Sequence, residues 1–196
     1  MNPRIAFIAA PLLTMAYGVI RLIDGLDGAK GPGLAWTAGH LAFIGALVMF
    51  VVTFWEMRRL AGRGLLATTS AVLGTVGVAA LIAQFGIDIV VGFLAVDHDA
   101  MGPLFDQVQS VPLVSPIVYQ AVPFLFYIGQ LAIVIQLAAT RKVKVWTPVL
   151  VLVDLMLPMV DKNFIPLGAL FLLISFLPLA RLSAVAAPRT PAHAHV

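Results

Sequence analysis

The sequence predicts an all-α, polytopic transmembrane bundle of about six helices with both termini cytoplasmic. Composition is the first reason. Of 196 residues, 61% are hydrophobic and 11% charged, with a mean hydropathy of +1.04, whereas an ordinary soluble domain carries about 25% charged residues. Such a chain cannot clothe a water-facing surface, so it is expected in the lipid bilayer as a multi-pass cell-membrane protein. One transmembrane domain is expected over 1–187, followed by a disordered tail at 188–196. The second reason is a series of apolar stretches, and the third is the way positive charge alternates between them.

Crossing roughly 30 Å of hydrocarbon takes about 20 apolar residues, and six stretches qualify, at about 5–23, 34–55, 65–95, 114–139, 145–161 and 163–181. The first follows Asn2 and Arg4 as a signal peptide would, but lacks a convincing small-residue cleavage site and reads as retained. The third, at 1.5 Å per residue, would measure roughly 46 Å. It is therefore expected to tilt, bend or project, with Gly86 and Gly92 as bending points. Asp97 to Pro112 reads as a polar loop at the interface. Pro11, Pro123, Pro148 and Pro158 fall inside apolar runs, where neighbouring helices can satisfy the freed carbonyls.

Positive residues stay cytoplasmic. On this topology one side collects nine, Arg4, Arg58, Arg59, Arg63, Arg141, Lys142, Lys144, Arg181 and Arg189, while the other has three, Arg21, Lys30 and Lys162. The net charge of +3 and the pI of about 9.6 therefore reflect membrane orientation, and no nucleic-acid partner is expected. The absence of cysteine excludes disulfides, thiolate catalysis and iron–sulfur ligation.

The acids are skewed the other way. Asp24, Asp27, Asp88, Asp97, Asp99, Asp106, Asp154 and Asp161 all fall in the outer half, leaving Glu56 at the inner end, where it can pair with Arg58 or Arg59. Carboxylates are weak topology signals, so orientation alone does not require this skew. Loop acids can simply be solvated, but Asp154 lies near the middle of its stretch. A carboxylate there costs several kcal/mol unless it is neutral, paired or facing a wet cavity. Gln84 and Asp88 share a helix face at i,i+4, as do Trp36 and His40; Thr147, Asp154 and Asp161 are each seven apart. Lipid penalises such faces, so they are expected to converge inside the bundle on a pocket that opens outward. Asp24, His40, Asp88 and Asp154 would be its catalytic groups, with Trp36, Gln84, Phe85, Tyr119, Gln120, Phe124 and Tyr127 as its walls.

Several motifs fail. Asp24-Gly-Leu-Asp27-Gly28 echoes the start of the CDP-alcohol phosphotransferase signature but lacks the Ala-Arg pair and the later aspartates. Asp97-His98-Asp99 with Asp106 offers oxygen ligands but no diphosphate-binding pattern. His40 alone cannot supply a bis-histidine haem, and the tail residues His193 and His195 are too few for a metal site, so neither metal nor cofactor is expected.

A carboxyl away from water favours its protonated form and can donate a proton to an alkene or epoxide. Aromatic faces can stabilise the resulting cation. In size, in helix number, in acids on separate helices and in the stretch Ile23-Asp24-Gly25-Leu26-Asp27-Gly28 leading to Gly39-His40, the chain resembles the small integral membrane terpene cyclases of meroterpenoid pathways. These include bacterial enzymes that cyclise prenylated indole compounds. The resemblance implies a lipophilic polyprenyl substrate and metal-independent cation cyclisation. Two other readings stand beside it: a proton-coupled transporter working through Asp88 and Asp154, for which a homodimer could supply both halves, and a non-enzymatic subunit or sensor whose polar groups join helices.

Overall fold

The computed structural model describes residues 3–26 and 28–185. They form helices α1 (Pro3–Asp24), α2 (Leu34–Leu60), α3 (Leu65–Leu94), α4 (Met101–Ser110), α5 (Phe124–Ala139), α6 (Trp146–Val160) and α7 (Ile165–Val185). A π-helical turn, Ser115–Gln120, precedes α5, and a 3-10 turn, Lys162–Phe164, precedes α7. The expected all-helical bundle is observed, and the described residues contain no strand.

The helices close into a ring in which α1 packs on α2, α2 on α3, α3 on α5, α6 on α7 and α7 back on α1. α2 also reaches α5 and α7 across the middle, and the α5–α6 seam is the thinnest in the ring. Phe7 packs on Phe176, while Gly18, near the other end of α1, meets Ile165 and Pro166. α1 and α7 are therefore antiparallel, which puts the start of α1 and the end of α7 at one end of the bundle, the termini end. The α1–α2 loop and the α6–α7 turn lie at the other, the distal end.

Outward positions such as Leu12, Leu41, Val76, Ile128, Leu152 and Leu177 are exposed and apolar, as a lipid-facing surface requires. Five helical segments are long and apolar enough to cross a membrane: α1, α2, α3, Ser115–Ala139 and Lys162–Val185. The expected fifth span falls short. α6 has 15 residues, about 22 Å at 1.5 Å each, and it stops at Asp161, where the backbone turns extended. α3 is one continuous helix of 30 residues, about 45 Å long, and neither Gly86 nor Gly92 breaks it. Asp97 to Pro112 is less of a loop than expected, because its middle coils into α4, with only Met101 buried.

Small residues bring α3 and α5 together. A Cβ on Gly129 would lie 2.4 Å from the Gly74 nitrogen, and one on Gly77 would lie 2.1 Å from the Phe126 nitrogen, so the two backbones touch. This is the close approach that holds helices in lipid, where apolar burial gives no advantage. The α2–α3 turn uses Gly62 at φ 96°, a left-handed conformation that suits glycine. Phe7, Phe50, Phe54, Phe126 and Phe176 fill the middle of the bundle, with Phe50 edge-on to Phe126 at 5.0 Å.

Candidate active site

At the distal end the helices splay around a cavity of about 360 Å³, within the size range of small-molecule sites. It collects Tyr17 and Arg21 from α1, Trp36 and His40 from α2, Gln84, Phe85 and Asp88 from α3, Tyr119 and Gln120 from the π-helical turn, Phe124 and Tyr127 from α5, and Asp154 from α6. Phe50, Phe126 and Leu172 also line it, so it ends on the aromatic core. Phe124 and Met159 are both about half exposed and both line it, so the cavity reaches the surface at the thin seam between α5 and α6.

All the residues expected in a shared pocket are there except Asp24. It borders a separate recess of about 10 Å³ behind Arg21, Trp36 and His40. The reason is helix phase: Arg21, one turn earlier on α1, occupies the cavity-facing position. Asp27 lies outside the described residues, as do Arg189, His193 and His195.

The tightest polar arrangement is on α2 and α3. His40 is 4% exposed; its Nδ1 lies 2.7 Å from the Trp36 carbonyl oxygen and its Nε2 3.5 Å from Asp88 Oδ2. A carbonyl only accepts, so Nδ1 carries a proton and donates it. Nε2 then faces a carboxyl oxygen at a distance longer than an ordinary hydrogen bond, so imidazole and carboxyl stand side by side as an acid–base pair. Trp36 Nε1 donates to the Asp88 backbone carbonyl at 2.8 Å, and its indole stacks on His40 with centroids 4.1 Å apart. Phe85 and Tyr17 complete an aromatic collar around the imidazole, at 5.1 and 5.9 Å. Gly92 makes this possible, because a Cβ there would lie 2.6 Å from Trp36 Cδ1.

Asp154, 8% exposed, occupies the opposite wall, and its carboxyl has no hydrogen-bond or ion-pair partner among the described residues. Gly168 of α7 leaves room for it: a Cβ would lie 2.8 Å from Oδ1. Tyr127 lies within electrostatic reach of Asp154 and of Tyr17, and Tyr119 stands beside Asp88 with its buried hydroxyl outside hydrogen-bond geometry. The π-helical turn sets Tyr119. Pro123 has no N–H to offer the Tyr119 carbonyl, and the ladder widens so that the Ala121 nitrogen donates to Pro116 O at 2.8 Å. Gln120 is exposed and donates to Ser115 Oγ at 2.8 Å.

Sequence reasoning missed Tyr17, Arg21, Phe43 and Lys162, which line the same cavity. Arg21, with its Nε buried, and Lys162 bring positive charge to the cavity. The i,i+4 spacing of Tyr17 and Arg21 was the available signal. The remaining acids act locally: Asp97 Oδ1 accepts from the Ala100 nitrogen at 2.9 Å, Asp161 Oδ1 from the Asn163 nitrogen at 2.8 Å, and Glu56 pairs with Arg59 at 2.6 Å and accepts from Ser183 at 2.5 Å. His98 Nδ1 is 2.6 Å from the Lys30 carbonyl, where it donates.

Comparison with protein-family models, with curated proteins and with solved structures finds no match to this chain.

Proposed function

We propose that this chain is an integral membrane cyclase that acts on a lipophilic polyprenyl compound by protonation and carbocation cyclisation, as its resemblance to membrane terpene cyclases implies. The observation that supports this reading is the pairing of the His40 imidazole with the Asp88 carboxyl inside an aromatic cavity. The pair donates a proton to a terminal alkene of the substrate, forming a C–H bond and a tertiary cation. The π electrons of the next alkene attack the cation and form the ring bond. Asp154 takes up the proton lost from carbon as the new alkene forms. Proton gained and proton lost balance, so the product is an isomer of the substrate.

The collar of Trp36, Phe85 and Tyr17 presents ring faces and edges beside the acid, where cationic charge develops. The seam between α5 and α6 offers a lipid a sideways route to the cavity. The packed aromatic floor favours this reading over transport, which needs a path to the other end of the bundle. The test is incubation of the reconstituted protein with farnesylated and geranylgeranylated aromatic compounds in D2O. The expected product is an isomer of the substrate in which one hydrogen is replaced by deuterium, the D+ taken up at initiation balancing the H+ lost at termination. Unchanged substrates throughout, together with pH-gradient-driven uptake into sealed vesicles, would replace the enzyme with a carrier.

A further inference from the structure

At the termini end, opposite the candidate active site, a groove of about 820 Å³ runs between the α5–α6 turn and the last turns of α7. Arg141, Lys142, Lys144 and Arg181 line it, with Trp146 and Leu182 among its apolar walls, and among the described residues no carboxylate lines it. The turn concentrates this charge: Arg141 adopts φ 58°, which folds the chain tightly between α5 and α6, and Lys142 Nζ donates to the Leu60 carbonyl, pinning the turn against the end of α2. Arg141, Lys144 and Arg181 have no ion-pair partner among the described residues.

We propose that this groove binds an anionic phospholipid, with the phosphate among the four cations and an acyl chain along Leu182 and Trp146. Cations above an apolar slot at a helix end match a lipid in both charge and depth, and basic pockets between membrane helices favour anionic headgroups. Trp146 stands at the start of its helix, where aromatic side chains settle at the membrane interface. A second copy in the same orientation would present cations to cations. Glu56, the acid that the chain places at this end, is already taken by Arg59 and Ser183. Residues 186–196 contain no Asp or Glu, so they offer no side-chain counter-charge.

The full-length chain is titrated with dibrominated phosphatidylglycerol and, separately, dibrominated phosphatidylcholine. The Trp146 signal is taken as the difference between wild type and Trp146→Phe. Phosphatidylglycerol is expected to quench at a mole fraction at least about fivefold lower. Native mass spectrometry of the unsubstituted chain should show the same selectivity. Replacing Arg141, Lys144 and Arg181 together by Gln should abolish it in both measurements, and tens of millimolar inorganic phosphate should leave it intact. Equal quenching and retention of the two lipids would overturn the proposal, as would a preference that survives the triple substitution. Loss of the preference to inorganic phosphate would assign the cations to a soluble anion and overturn the lipid.

Discussion

His40 meets a partner at each ring nitrogen: Nδ1 sits 2.7 Å from the Trp36 carbonyl and Nε2 sits 3.5 Å from Asp88 Oδ2. The first contact fixes the tautomer and leaves Nε2 turned toward the carboxyl. In the proposed mechanism the pair is the acid, with its imidazole oriented by the backbone of α2. The expectation is direct. In 15N NMR spectra assigned by comparison with His40→Gln, Nδ1 should remain protonated whether or not Nε2 is; an unprotonated Nδ1 would show that the Trp36 carbonyl does not fix the tautomer.

Asp88→Asn keeps the shape and leaves an amide that can still donate to Nε2, but it cannot give up a proton. Turnover should fall by at least about 10²-fold, the usual scale of general acid catalysis, with little change in thermal stability. Product analysis should separate this effect from that of Asp154→Asn. The second variant should still consume substrate but release misplaced alkenes or water-trapped alcohols, because initiation survives while termination does not. Identical product profiles from the two variants would contradict the division of roles.

Gly92→Ala tests the slot behind Trp36. A methyl 2.6 Å from Cδ1 and 2.7 Å from Nε1 must displace the indole and break its 2.8 Å bond to the Asp88 carbonyl. The cost is expected at about 1–3 kcal/mol, typical of overpacking, together with a shift in Trp36 fluorescence and a loss of activity. A spectrum unchanged from wild type would show that the indole does not rest there.

Gly168→Ala acts on the other wall. Its Cβ would meet Asp154 Oδ1 at 2.8 Å and the Asp154 backbone oxygen at 3.2 Å, so a side-chain rotation alone does not relieve it. α7 must move away from α6, and the melting temperature in detergent should fall by an amount equivalent to about 1–3 kcal/mol. An unaltered melting temperature with full activity would place Asp154 elsewhere.

Gly129→Ala concerns assembly of the bundle and not its chemistry. The new methyl would lie 2.4 Å from the Gly74 nitrogen and 2.6 Å from the Ser70 carbonyl, both backbone atoms that cannot swing aside. It should be among the most damaging single methyl additions in the protein, at about 3 kcal/mol or more, read as loss of monodisperse protein on size exclusion. Gly86→Ala, where a Cβ meets nothing within 4 Å, is the matched control and should be neutral.

Much of the site was legible because lipid makes polar residues conspicuous. His40, Gln84, Asp88 and Asp154 stand out in apolar runs, and helical spacing groups them on faces that can only turn inward. Arg21 and Tyr17 were not, since an arginine near a helix end ordinarily reaches to the headgroups and a tyrosine there ordinarily lies in the aromatic belt. Asp24 misled for a related reason. It lies three residues from Arg21, a rotation of about 60° on an α-helix, and that angle separates the cavity from the recess behind it.

Composition and hydrophobic pattern by themselves determined a helical bundle in lipid, the approximate bounds of its elements and the inward turn of its polar faces, because each follows from local solvation. The partners of those faces were decided only in three dimensions. Gly92 opens a slot for Trp36 and Gly168 a space for Asp154, and the joining of His40 to Asp88 depends on how α2 meets α3. A glycine in one helix has no meaning for a side chain in another until the two are packed, and packing is a property of the pair.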